Sequence, residues 1–348
     1  YYTDDKITES ADVTGSKTIF QVHRNGEVLI WEPFSIRQMG VYNISRNLYK
    51  NSYGNKVIFE EVNNDLGLTF RYQWNSSNQF GFVKKSTIIN NSDAKIGLTF
   101  VDGLQNILPA GVTSDLQNSR SNLVDAYKKS ELLAGTSVGI YALSAFIVDK
   151  AEPSEALKSN IVWSAGIDNP LYLLSSQQLD DFRSKNALKQ EVDVKAEKGA
   201  YFISSDLSLE PNQIENWMFA ANVNQSITGV IEVAEVIKNE KDIVGLVNKN
   251  IEKGTKRLIK LTASSDGLQL TNDNLINTRH FSNTLFNIMR GGIFDDGYNI
   301  EKDDFLKYLS KANKEFFSKK ESQLQSLSLI HISEPTRPSK SSRLPSSA

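Results

Sequence analysis

The feature that most constrains the fold is a strict alternation of apolar and polar residues. Leu66, Leu68, Phe70, Tyr72 and Trp74 alternate with Gly67, Thr69, Arg71 and Gln73. Successive side chains of a strand point to opposite faces, so this period of two is typical of a strand with one face on a core and one in water. It predicts a half-buried antiparallel strand.

Comparable segments on both sides of this strand predict a meander of antiparallel strands. A hairpin is expected at 19–31, because Asn25-Gly26 is the pair that best accepts the positive φ angles of a type I′ turn. Further strands are predicted at 40–49, 55–63, 79–90, 95–101, 138–148, 160–164, 200–205 and 217–223. Turn signals recur about every ten residues, which favours a sandwich or barrel.

Helical patterns interrupt and then follow the strands. A helix lying on the sheet is predicted at 113–134, and a short one at 176–183. After Asn224, apolar residues at helical spacing predict helices at 226–239, 242–261, 272–289 and 302–319. Runs of strands followed by runs of helices predict an α+β architecture with two segregated regions.

Composition excludes several classes of function. The 348 residues are 39% hydrophobic, which is enough for a sizeable core. The sequence contains no run of about eighteen apolar residues, so no membrane-spanning helix is expected. With a net charge of -2 and no dense Lys/Arg cluster, nucleic acid is not an expected partner. There is no cysteine, and only His23 and His280 remain once His331 is assigned to the end of the chain, so a histidine-based metal site would lack further ligands. No metal site is therefore expected.

The end of the chain resembles a translated laboratory sequence. Leu327-Ser-Leu-Ile-His-Ile-Ser-Glu-Pro-Thr-Arg337 is similar to the in-frame translation of a transposase sequencing adapter, and 342–348 is similar to its outer end. We expect 327–348 to be such an artefact rather than a Ser/Pro-rich tail. The chain also begins at Tyr1 without a signal-peptide pattern. We therefore expect a piece of a longer protein, and its compartment stays open, with the cytoplasm favoured.

Three segments carry a resemblance to a known family. They are Asn64-Asp-Leu-Gly-Leu-Thr-Phe-Arg-Tyr-Gln-Trp74, Phe80-Gly-Phe-Val-Lys84 and Val101-Asp-Gly-Leu-Gln-Asn-Ile-Leu-Pro109. Together with 122–128 and 149–157, they resemble the N-terminal region of cellobiose-phosphorylase-like carbohydrate enzymes. The resemblance covers 19–317 and includes no catalytic signature.

The resemblance implies a large antiparallel β-supersandwich followed by a helical linker and the start of an (α/α)6 barrel. The corresponding domains are a disordered lead at 1–16, the sandwich at 17–224, the helices at 225–326 and the artefact at 327–348. The catalytic carboxylate of such enzymes sits deep in the barrel, so no catalytic residue is expected here.

The implied function is that of the non-catalytic N-terminal part of a glycoside phosphorylase-like or glycoside hydrolase-like enzyme. Its partners would be an oligosaccharide and, through the sandwich, a second copy of the chain. No cofactor is expected, although inorganic phosphate is a candidate co-substrate of the whole enzyme.

Candidate substrate-binding residues follow the third predicted helix. Arg290, Asp295 and Asp296 flank a helix-ending Gly291-Gly292, and such loops can line the mouth of a helical barrel. A helix C-terminus with a solvated acidic turn explains the same residues. Asp102-Gly103 is either a sugar contact or a turn in which Asp102 bonds its own backbone, and the turn is favoured.

Two other functions stay open. One is a stand-alone carbohydrate-binding or structural β-sandwich module, which should bury the apolar residues of its last helices. Those residues are Leu285, Ile288, Phe294 and Phe305. The other is a mutarotase-like enzyme acting within the sandwich, which the scarcity of histidine disfavours. The four tryptophans suit sugar stacking or the core, and the core is favoured for Trp74 and Trp163.

Overall fold

The computed structural model describes residues 12–24, 26–145, 157–291, 299–300, 302–325 and 330–331. The strands are β1 Gly15–Arg24, β2 Glu27–Trp31, β3 Ile44–Lys50, β4 Val57–Asn63, β5 Leu68–Ser77, β6 Gly81–Asn90, β7 Ile96–Ile107, β8 Lys128–Leu132, β9 Gly139–Leu143, β10 Ser159–Ala165, β11 Leu171–Leu173, β12 Asp193–Lys195, β13 Gly199–Leu209, β14 Ile214–Gln225, β15 Asn299–Ile300 and β16 Ile330–His331. The helices are α1 Ser114–Ser119, α2 Ser121–Ala126, α3 Leu179–Arg183, α4 Ile227–Asn239, α5 Ile243–Asp266, α6 Asn274–Met289, α7 Lys302–Ala312 and α8 Lys314–Gln325. The chain is thus α+β, as the sequence predicts.

Two large antiparallel sheets dominate the molecule. The five-stranded sheet has the order β11-β13-β7-β1-β2, and the nine-stranded sheet has the order β12-β8-β9-β10-β14-β6-β5-β4-β3. Arg24 pairs with Glu27 across the first hairpin, and Gly26 has a φ angle of 81°. The two-residue turn predicted there is therefore present, although Asn25 itself lies outside the described residues.

Aromatic side chains from both sheets form the core between them. Phe20 of β1 lies 5.3 Å from Phe70 of β5, centroid to centroid, and Phe100 of β7 lies 4.6 Å from Trp217 of β14. All four side chains are buried. Because each pair joins one strand from each sheet, the two sheets pack face to face as a sandwich.

Helices α4 and α5 cover part of the outer face of the nine-stranded sheet. Ser226 caps α4 by accepting a hydrogen bond from the backbone N–H of Gly229 at 3.2 Å, which explains why the helix starts there. The buried apolar side chains of this second core are Phe80, Val83, Val138, Ile161, Trp163, Met218, Ala220, Val230, Val247 and Ile251. These residues join the two helices to strands β6, β10 and β14 and to Val138, which directly precedes β9.

The helix predicted at 113–134 is wrong beyond Ala126. Residues Lys128–Leu132 form strand β8, in which Ser130 lies opposite Tyr141 of β9 and Val194 of β12. Backbone hydrogen bonds to two neighbouring strands outweigh the local helical pattern, and such pairings are not encoded in the segment itself.

The turn predicted at Asp102-Gly103 is also wrong, because both residues lie inside β7. The glycine serves a different purpose. A Cβ atom on Gly103 would lie 1.9 Å from the carbonyl oxygen of Tyr201. Glycine is therefore required here for the close approach of β13 to β7.

The described residues divide into two compact units. The first unit consists of the described residues up to Asn51 and from Asn55 to Gly254. The second unit consists of Ser52–Gly54 and the described residues from Thr255 onward. The large sheets belong to the first unit, which extends past Gln225 because α4 and the start of α5 pack on the nine-stranded sheet. The domain limits drawn from the sequence stay a prediction.

The second unit contains helices α6 to α8 and the short pair β15–β16. Asp273 caps α6, since its carboxylate accepts hydrogen bonds from the backbone N–H groups of Leu275 and Ile276. Tyr53 packs edge-to-face on Phe281 of this helix at 5.1 Å. Among the described helices, none is both long and apolar enough to cross a membrane.

Candidate ligand-binding site

A cavity of about 470 Å³ lies on the outer face of the nine-stranded sheet, beside the start of α5. We call it the outer-face cavity. Its lining residues are Ile58, Arg71, Gln73, Lys85, Thr87, Asn216, Trp217, Met218, Val244 and Asn248. Ligand pockets in proteins typically measure roughly 300–1,000 Å³, so the size suits a small molecule.

The register of four adjacent strands builds the floor of this cavity. Residues opposite one another on β4, β5, β6 and β14 form two rows. The first row is Glu60, Arg71, Thr87 and Asn216, and the second is Ile58, Gln73, Lys85 and Met218. Because side chains alternate along each strand, both rows face away from the core of the sandwich.

Glu60 fixes Arg71 at one side of the cavity. Its carboxylate accepts hydrogen bonds from Arg71 Nε, from Asn47 Nδ2 at 2.9 Å and from Tyr49 Oη at 3.0 Å. Burial raises the pKa of Glu60, but these three hydrogen bonds and the charge of Arg71 outweigh it, so the pKa lies below its usual value. Glu60 therefore stays ionised near neutral pH and holds the guanidinium in place.

Lys85 lies in the second row and is half-buried. Burial lowers the pKa of its ammonium, and the charge of Lys56 lowers it further. Within the part of the chain that the structure describes, no hydrogen-bond acceptor or carboxylate pairs with this ammonium. Thr87 Oγ1 donates to Asn216 Oδ1 at 2.7 Å beside it. The cavity thus combines two cations with amide groups, a set that suits the binding of anionic and hydroxyl groups.

A second charged cluster lies inside the sandwich and is fully buried. Asp102 accepts hydrogen bonds from Thr18 Oγ1 at 2.6 Å, Lys84 Nζ at 2.5 Å, Ser86 Oγ at 2.6 Å and Trp217 Nε1 at 2.7 Å. Burial lowers the pKa of Lys84 below its usual value, although the charge of Asp102 and its hydrogen bond act in the opposite direction. With four donors on one carboxylate and no exposure, this cluster is structural.

Of the three predicted substrate-binding residues, the structure describes Arg290. Arg290 is exposed at the C-terminus of α6, with its guanidinium carbon 5.2 Å from the centre of the Phe286 ring. Asp295 and Asp296 lie outside the described residues. The substrate-binding role of all three therefore stays a prediction.

Sequence reasoning missed the residues of the outer-face cavity. The one available signal was that Arg71 and Gln73 occupy polar positions of the clearest alternating strand. The tryptophans behave as expected for a core, since Trp163 is buried and Trp74 is half-buried. Across the described ranges, no three side chains of the His, Asp and Glu types are placed to share a metal ion.

One family model matches the chain. Residues 294–332 match the model described as glycoside hydrolase family 149 insertion domain 1. The match confirms, for this segment, the predicted resemblance to carbohydrate-active enzymes of the glycoside hydrolase and phosphorylase type. It extends past Ser326, and the adapter interpretation of 327–348 stays a prediction.

Solved structures also align with the chain. A bacterial glucoamylase complexed with acarbose has 9% identity and a TM-score of 0.41, over 72% of this chain and 32% of that one. A kojibiose phosphorylase from the human microbiome, itself assigned only provisionally, has 13% identity and a TM-score of 0.40, over 76% and 30%. A polysaccharide lyase has 14% identity and a TM-score of 0.34, over 64% and 27%. The chain thus spans about a third of the length of these structures, and no curated protein matches its sequence.

Proposed function

We propose that this chain is the non-catalytic N-terminal part of a glycoside phosphorylase-like or glycoside hydrolase-like enzyme that acts on oligosaccharides. The observation that carries the proposal is the match of 294–332 to a glycoside hydrolase family 149 insertion domain. The matched segment follows a large antiparallel sandwich and a set of helices, which is the order of parts that the sequence resemblance implies.

In this proposal, the helices of 225–326 are the linker and the first helices of an (α/α)6 barrel, and α7 and α8 lie within the segment that matches the insertion domain. Several large apolar side chains on the last three helices are exposed: Leu275, Ile276, Phe286, Met289, Tyr308 and Phe316. Leu285, Ile288 and Phe305 are half-buried, and Phe294 lies outside the described residues. Exposed apolar side chains on consecutive helices favour a further helical layer that covers them.

The chemistry of the outer-face cavity supports a binding role. Cleavage of a glycosidic bond uses a carboxylic acid with a raised pKa to protonate the leaving oxygen. At the outer-face cavity the pKa of Glu60 lies below its usual value, so this carboxyl stays ionised and paired with Arg71. Inorganic phosphate as co-substrate and pairing of two copies through the sandwich belong to the whole enzyme in this proposal.

The test is to recover the longer gene, express its full product, and compare it with the 348-residue chain. Each protein is incubated with gluco-oligosaccharides, with and without inorganic phosphate, and the released sugars are measured. We expect turnover by the longer protein only. Turnover by the present chain would refute its non-catalytic role. A stop codon directly after the codon for Ser326 would refute the proposal that the chain is part of a longer enzyme.

The alternative is a stand-alone carbohydrate-binding or structural module. The amide groups of Gln73, Asn216 and Asn248 in the cavity favour it, because amides pair with sugar hydroxyls. A gene that ends near Ser326, together with oligosaccharide binding that Asn216→Ala weakens, would select this alternative.

A further inference from the structure

The two cations of the outer-face cavity are placed to act on one ligand. Arg71 lies opposite Thr87, and Gln73 lies opposite Lys85, in the pairing of β5 with β6. Arg71 and Lys85 are therefore diagonal neighbours on the same face. Such neighbours lie roughly 7–8 Å apart in a sheet, which is within reach of two long side chains.

The two cations differ in how they are held. The Nε–H of Arg71 bonds to Glu60, which fixes the plane of a guanidinium that has five N–H donors in all. Lys85 is half-buried, and the described residues supply no partner for its ammonium. A partly desolvated ammonium without an acceptor costs free energy, and an anion beside it would remove that cost.

The rest of the lining adds neutral hydrogen-bonding groups. Gln73, Thr87 and Asn216 lie in the same two rows, and Asn248 faces them from α5. Amides and hydroxyls can donate to and accept from alcohol groups. A cavity of about 470 Å³ is also larger than an inorganic anion alone needs.

We propose that the outer-face cavity binds a small hydroxylated molecule that carries a phosphate group, with Arg71 and Lys85 on the phosphate and the amide side chains on the hydroxyls. This site lies on the outer face of the nine-stranded sheet. It does not depend on the proposed enzymatic function, so either proposal can fail while the other stands.

The test is isothermal titration calorimetry on the whole 348-residue chain at low salt. The probes are glucose 1-phosphate, inorganic phosphate and glucose. We expect glucose 1-phosphate to bind more tightly than either of the others. Lys85→Met should weaken its binding about tenfold or more, because a hydrogen bond to a charged group is lost.

Lys95→Met is the matched control. Lys95 is exposed and pairs with Glu210 at 2.5 Å, and it does not line the cavity. Binding by this variant should equal that of the parent chain. If Lys85→Met does not fold, as judged by circular dichroism, Arg71→Gln carries the test, because Arg71 is 45% exposed and tolerates replacement better.

Three outcomes would overturn the proposal. One is the absence of binding by glucose 1-phosphate. Another is binding that the cavity variants leave unchanged. The third is binding of inorganic phosphate as tight as that of the sugar phosphate, which would remove the role of the hydroxyls.

Discussion

Two consecutive lysines of β6 show how differently the two faces of the same sheet treat a charge. Lys84 points into the sandwich, is fully buried, and lies 2.5 Å from the carboxylate of Asp102. Lys85 points outward into a cavity, is half-buried, and has no partner among the described residues. Only the alternation of side chains along a strand separates these two environments.

The comparison shows where each charge can serve. A buried charge needs a partner and further hydrogen bonds, because the interior does not replace the water that it loses. Asp102 meets this condition with four donors, so nothing is left over for a ligand. At the edge of a cavity, where water can reach the charge, the free-energy cost of a cation without a paired anion is smaller. Such a cation stays available to bind a ligand.

The largest expected effect comes from breaking the inner pair. Lys84→Met leaves the Asp102 carboxylate buried without its countercharge, which should lower the free energy of unfolding by about 3–5 kcal/mol. Lys85→Met should change it by about 0.5 kcal/mol or less, as is usual for a surface substitution. Guanidinium unfolding followed by tryptophan fluorescence measures both.

A double variant sharpens this result. Lys84→Met with Asp102→Asn removes both charges, so it should be more stable than Lys84→Met alone. Equal losses of stability for Lys84→Met and Lys85→Met would show that the two faces do not differ in the way described.

An intermediate effect is expected at a second buried carboxylate, Glu32. Arg183 donates two hydrogen bonds to it, both at 2.9 Å, and Lys17 forms an ion pair with it. Burial raises the pKa of Glu32, but these partners outweigh it, so its pKa in the folded state lies below the usual value. Glu32→Gln should cost about 2 kcal/mol at pH 7.

The pH dependence follows from the direction of this shift. Between the folded pKa of Glu32 and its unfolded value of about 4.3, the unfolded chain binds more protons than the folded one. The stabilisation is therefore complete above the unfolded pKa and is lost as the pH falls through the folded pKa. The difference in unfolding free energy between the parent chain and Glu32→Gln should shrink from pH 6 towards pH 3, and a constant difference would contradict this account.

The smallest effect is expected on the outer face. Glu60→Gln weakens the contact with Arg71, whose side chain is 45% exposed although Glu60 itself is buried, and an ion pair with one partner in water contributes about 1 kcal/mol or less. Thermal unfolding of Glu60→Gln measures this loss. The variant keeps the neighbouring Glu61, which accepts hydrogen bonds from Trp31, Phe34 and Arg46 on the inner face. A loss as large as that of Glu32→Gln would show that the outer row is as tightly built as the buried clusters.

Local sequence signals account for much of the fold. The alternation around Phe70, the turn before Glu27 and the cap at Ser226 each depend on residues close together in the chain, and the structure contains all three. Such local signals do not predict a strand whose formation depends on pairing with strands far away in the sequence. Strand β8 forms between β9 and β12, and its own residues do not specify either neighbour.

The charged clusters show the same limit more sharply. From the sequence, Asp102 followed by Gly103 is typical of a turn, and alternation puts Lys84 and Lys85 on opposite faces of one strand without specifying the partner of either. The structure supplies a partner for Lys84. Thr18 and Asp102 lie on neighbouring strands of one sheet, and Lys84 and Trp217 lie on neighbouring strands of the other, so the four meet only when the two sheets pack.

The sequence by itself therefore determined the class of fold, most of the strands and helices, with β8, β11 and β12 among the exceptions, and a resemblance to carbohydrate-active enzymes that 294–332 confirms. The tertiary structure alone decided which charges are buried and paired and which line a cavity. The physical reason is that periodicity assigns a side chain to one face of its strand, whereas its partners are set by the register between strands far apart in the chain.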